Sequence, residues 1–109
     1  MMPKITTNRR KWKADLMNRV QTVDDNDRPA TDYTFKRVTY FKPLGVTAQE
    51  KALSVQEKAE VVKRINIVMD HTINTKDFGI RIGEQLYNIE RIWTDDEKRE
   101  MELSLSYVD

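Results

Sequence analysis

Residues 79–108 read GIRIGEQLYNIERIWTDDEKREMELSLSYV, and this stretch decides the fold class. Near its end the alternation is clean. Met101, Leu103, Leu105 and Tyr107 fall on one side; Glu100, Glu102, Ser104 and Ser106 fall on the other. Successive strand side chains point to opposite faces, so this pattern is a half-buried antiparallel strand. Ahead of it, Gly83–Glu84 fits a two-residue hairpin turn with glycine first, the type II′ arrangement. Gly79–Ile82 is then the strand entering that turn, with Ile80 and Ile82 on one face. Tyr87, Ile89 and Trp93 alternate along the strand that leaves it, with Arg91 interrupting their row. Leu86 and Ile92 face the other way. TDDEKR, residues 94–99, supplies the next turn.

Upstream, EVVKRINIVMD (60–70) is β-branched, and Ile65, Ile67 and Met69 alternate, so it reads as a strand. Residues 71–78 form a polar connector. YTFKRVTYFK (33–42) is rich in aromatic and β-branched residues and is another strand. Tyr33, Phe35 and Phe41 share one parity there, Val38 and Tyr40 the other. Apolar groups on both faces fit a strand that curves through a barrel or meets a neighbour. Pro43–Gly45 ends it. DDNDRPATD (24–32) is a loop; it lacks the mid-loop glycine and closing glutamate of a calcium loop. LMNRVQTV (16–23) is the first strand. Between the second and third strands, TAQE (47–50) is a capping box that opens a helix over Ala48–Lys58, with a weak apolar stripe of Ala52, Val55 and Ala59.

The expected fold is mainly β: a small antiparallel β-barrel, or a sandwich, of about five or six strands with one short inserted helix. Residues 1–15 are expected to be a basic tail and 16–109 the domain.

Composition narrows the function. The 109 residues fit one domain. A third of them are charged, yet the net charge is only +1, unlike the basic excess of a dedicated nucleic-acid binder. Without cysteine there is no disulfide and no thiolate metal site. The N-terminus has no apolar signal core. No apolar run approaches the roughly 18 residues of a membrane-spanning helix, so a soluble chain with no membrane partner is expected. Charge is nonetheless polarised. Residues 1–23 carry six basic groups against one acid, and residues 94–109 carry six acids against two bases. Opposite ends of this kind suit head-to-tail contacts between copies.

Residues for chemistry are missing. The single histidine, His71, has neither cysteines for a zinc site nor an orienting partner and nucleophile for catalysis. The three glycines lie too far apart for a phosphate loop. Asp95, Asp96 and Glu97 are simply a solvated turn. No catalytic, metal-binding or cofactor-binding residue is assigned, no cofactor is expected, and the chain is not expected to be an enzyme. The alternative with some support is an OB-like or SH3-like nucleic-acid binder, because Tyr33, Phe35, Arg37, Tyr40 and Lys42 interleave aromatic and basic groups.

The pieces GIRIGEQLYNIERIW, TDDEKRE and MELSLSYV, with Gly83, Tyr87, Ile89 and Ile92 in place, together with YFKPLGVTAQEKA and VVKRINIVM upstream, resemble the head-closure (head–tail joining) proteins of tailed bacteriophages. The resemblance covers residues 16–109. It implies a small β-barrel subunit of a homo-oligomeric ring in the virion neck, made in the host cytoplasm. Its partners would be portal and adaptor proteins on one side and tail proteins on the other, with packaged DNA in the channel. It also implies that the connection at Pro43–Ala59 reaches into the channel or onto a neighbour. The interface residues expected on this basis are Arg9, Arg10 and Lys11 for docking, and Leu44, Val46, Glu50, Leu53 and Val55 in the insertion. A related neck or tail-completion role has the same signature.

Overall fold

The alternating row at Met101, Leu103 and Leu105 becomes the last strand of a closed sheet, and all three side chains are buried. The computed structural model describes residues 10–46, 48 and 60–108. Six strands are present among the described residues: β1 Trp12–Val23, β2 Pro29–Leu44, β3 Lys63–Val68, β4 Phe78–Ile82, β5 Gln85–Asp95 and β6 Glu100–Tyr107. They close in the order β1-β2-β3-β6-β5-β4, every pairing antiparallel. The expected barrel is therefore the observed one. The helix expected over Ala48–Lys58 lies outside the described residues, apart from Ala48.

Side chains from all six strands fill the interior. Leu16, Ile65, Ile67, Ile80, Met101, Leu103 and Leu105 are fully buried. Ala14, Phe41, Phe78, Tyr87 and Ile89 complete the cluster, and Ile92 packs against it. Ile73 joins them from the β3–β4 connector, which is thus not wholly polar. Full burial of an aliphatic side chain contributes about 1.5–3 kcal/mol, so this row of residues is the main reason the strands close.

Several boundaries move. β1 begins at Trp12, so Trp12–Asp15 belong to the barrel and not to the tail; Ala14 is already core. β2 starts at Pro29 and continues through Pro43, which pairs with Ile65. Pro43 therefore does not end the strand. The loop shrinks to the tight turn 24–28. There the Asp24 carboxylate accepts from the Asn26 and Arg28 amides, and Asp27 takes φ 60°. These bonds satisfy backbone donors within the turn, as aspartates do in such loops. At the β4–β5 hairpin Gly83 has φ +62°, as a leading type II′ glycine requires.

Two one-residue slips rearrange the faces. Leu16 pairs with Arg37 but Met17 pairs with Phe35, leaving Lys36 as an extra residue in β2. Ile89 pairs with Leu105 but Arg91 pairs with Ser104, leaving Glu90 extra in β5. An extra residue reverses which parity faces inward beyond it. Hence Phe41 is buried while Phe35, of the same parity, is exposed. Ile92 packs on the core while Trp93, expected beside Ile89, is exposed. Both extra residues are anchored. The Lys36 ammonium lies 5.3 Å from the centre of the Phe78 ring, and Glu90 accepts from the Ser106 hydroxyl. Tyr107, expected inward, is exposed and stacks on buried Tyr87 with ring centres 5.6 Å apart.

Candidate interaction surface

Arginine and lysine play different parts on this barrel. Arginines tie neighbouring segments together: Arg10 to Glu100 at 2.9 Å, Arg81 to Asp15 at 2.7 Å, Arg64 to Glu102, and Arg37 to Asp70. The planar guanidinium fork suits such fixed pairing. By contrast, Lys11, Lys13 and Lys42 make no ion pair among the described residues. Lys13 stands directly across from Tyr40, and Lys42 follows two residues later on the same face. Tyr40 is 54% exposed. Lys42 pairs with Asn66 on β3, two residues before exposed Val68. An outward patch of Tyr40 and Val68, framed by Lys13 and Lys42, results. Contiguous exposed apolar side chains with a charged rim mark contact surfaces more often than catalytic ones.

The opposite end of the same ladder looks different. Beyond Asn18, β1 has no further ladder pair with β4, although the Arg19 amide still donates to the Asp77 carbonyl. β2 pairs with β3 only at Lys42–Leu44. The hairpin from Val20 to Asp32 therefore projects from the barrel as a two-stranded arm. It exposes Val20 and Val23, and Asp32 stands across from Val20. Its turn carries Asp24, Asp25, Asp27 and Arg28.

The residues expected to make contacts fare unequally. Arg10 is bonded to Glu100 within the subunit, so the basic and acidic ends of the chain partly satisfy each other. Lys11 is exposed. Leu44 and Val46 are half-buried at the exit of β2, where Arg64 donates to the Gly45 carbonyl at 2.6 Å. Arg9, Glu50, Leu53 and Val55 lie outside the described residues. The Tyr40–Val68 patch and the arm were missed. Their signal was partly visible, because apolar groups on both parities of β2 cannot all be core.

His71 is exposed in a turn beside a depression lined by Val68, Met69, Asp96 and Arg99. Its neighbour Asp70 serves other partners: the Thr72 hydroxyl and amide, and Arg37. Led by the Thr72 hydroxyl, these bonds hold the Asp70 carboxyl below its ordinary 3.8 against the opposing effect of burial. Asp70 is thereby committed to partners other than His71. Of the proposed base-stacking residues, Tyr33 is half-buried over Gly79 and donates to Asn88, while Phe35 and Tyr40 are exposed. No helix of the described residues is long and apolar enough to cross a membrane.

Among solved structures, the chain is similar to protein SF1141 from Shigella flexneri 2a. That match has a TM-score of 0.66 at 18% identity and covers 94% of this chain and 96% of the other. At that identity it speaks to the fold alone. No curated protein sequence matches. The family described as phage head completion protein matches residues 5–106. That span runs from ahead of β1 to Ser106, the last residue but one of β6, and so takes in all of the barrel's strands but for that final residue; the chain belongs to the phage head completion protein family.

Proposed function

We propose that this protein is a head–tail connector subunit of a phage neck. It binds the portal or adaptor ring as a homo-oligomer, helps retain packaged DNA and offers the surface on which the tail docks. The observation that carries this reading is the family match across the whole barrel. The surface supports it. The described residues combine a well-filled interior with large apolar side chains left outside, which is how a subunit that completes its burial in an assembly is built. The connection between β2 and β3 leaves and re-enters the barrel at Leu44 and Lys63, long enough to reach a neighbour or the channel. Leu44, Val46 and Lys11 flank that exit or the start of β1; with Arg9, Glu50, Leu53 and Val55 they are the proposed contacts.

The test is deletion of the gene in the phage that encodes it. Electron microscopy of the resulting lysate is expected to show portal-bearing heads that have lost DNA and carry no tails. DNA-filled heads that accept tails in vitro without the protein would reject the role. A sibling role in tail completion predicts instead stable full heads beside defective tails.

A further inference from the structure

Resting on that ring reading, the two ends of the β1–β2 ladder have a consequence of their own. The arm is apolar and acidic; the patch around Tyr40 is apolar and basic. They occupy opposite ends of one hydrogen-bonded ladder. From Lys13 to Asp25 the chain runs along β1 and into the turn, roughly 35–40 Å at strand rise. A two-stranded ladder does not fold back on itself, so tip and patch of one chain do not meet. Between copies they can meet, and repetition of one such unlike pair generates a ring when the rotation closes.

We infer that the arm of each subunit docks on the Lys13–Tyr40–Lys42 face of the next. Three observations choose a second copy as occupant. The charges are opposite: Asp25 and Asp32 on the arm against Lys13 and Lys42 on the face, neither lysine in an ion pair among the described residues. Both sides expose apolar side chains: Val20, across from Asp32 on one face of the arm, against Tyr40 and Val68. The arm edges lack ladder partners, as edges completed by assembly do. Apolar contact supplies the affinity, and the charges fix partner and register.

The chain has no cysteine, so a clean cross-link is available that leaves every charge in place. Asn26→Cys and Val68→Cys are introduced together, particles are purified, and a short bis-maleimide is added. A ladder of covalent multimers is expected from the double variant and none from either single variant. Normal incorporation with no ladder overturns the arm contact and leaves the neck role standing; absence of the unmodified protein from particles overturns the neck role itself. A charge exchange gives a second readout. Asp25→Lys with Asp32→Lys, or Lys13→Glu with Lys42→Glu, is expected to lower copies per particle by roughly tenfold, and all four together to restore them. Undiminished incorporation of both pairs overturns the proposal. So does a lysine-face variant that incorporates normally but leaks DNA, which assigns that face to nucleic acid.

Discussion

Arg10 and Glu100, ninety residues apart, meet through Nη2 and Oε2 at 2.9 Å, and both side chains are largely buried. This pair fastens the segment preceding β1 to the start of β6. It consumes one charge from each of the two oppositely charged ends.

Removing one partner leaves the other charge poorly hydrated and unpaired, which is more damaging than the pair is stabilising. Arg10→Ala or Glu100→Gln is expected to lower stability by about 1–3 kcal/mol, measured by urea denaturation. The double variant is expected to lose less than the sum of the two. Strict additivity would mean the residues do not interact.

The pH dependence has two limbs. Asp70 is held below its ordinary 3.8 by Thr72 and Arg37, so its contribution is present above about that pH and lost as the solution is acidified through its lower folded value. Tyr87 is pushed above its ordinary 10.0 by burial, then by Tyr107, so its contribution is present below pH 10.0 and lost as pH rises beyond it. Thermal melts from pH 2 to 12 are expected to fall at both ends. Asp70→Asn should flatten the acid limb and Tyr87→Phe the alkaline one.

Gly79 is needed for space. A Cβ there would stand 2.9 Å from the Tyr33 ring and 3.0 Å from the Tyr87 carbonyl oxygen. Gly79→Ala is expected to cost about 1–3 kcal/mol, as overpacking does. Tyr33→Ala in the same chain should return part of that loss in a calorimetric scan. A change of melting temperature within error would show that the ring moves aside freely.

The slip at Glu90 predicts opposite behaviour of two adjacent residues. Trp93 is exposed, so Trp93→Ser is expected to change stability by no more than about 0.5 kcal/mol. Ile92 packs on the core, and Ile92→Ala is expected to cost about 1–3 kcal/mol. Denaturation midpoints reversed between the two would mean that β5 keeps a single parity throughout.

How much of this was legible beforehand differs by residue. The period-two rows at Ile65–Ile67 and Met101–Leu105, and the glycine at 83, are properties of the local chain. Side-chain alternation and turn dihedrals need no distant partner, and so strand type, strand count and the β4–β5 hairpin could be read directly. Which side Phe35 and Trp93 face could not. That depends on an extra residue relative to a partner strand, and the register of a pair is a property of two segments together. The start of β1 escaped for a similar reason. Trp12–Asp15 look like tail until Tyr40 and Phe41 are placed beside them. The candidate surface was half visible: its lysines and aromatics were conspicuous, but closure of the barrel decided which were buried, which were paired, and which remained facing outward.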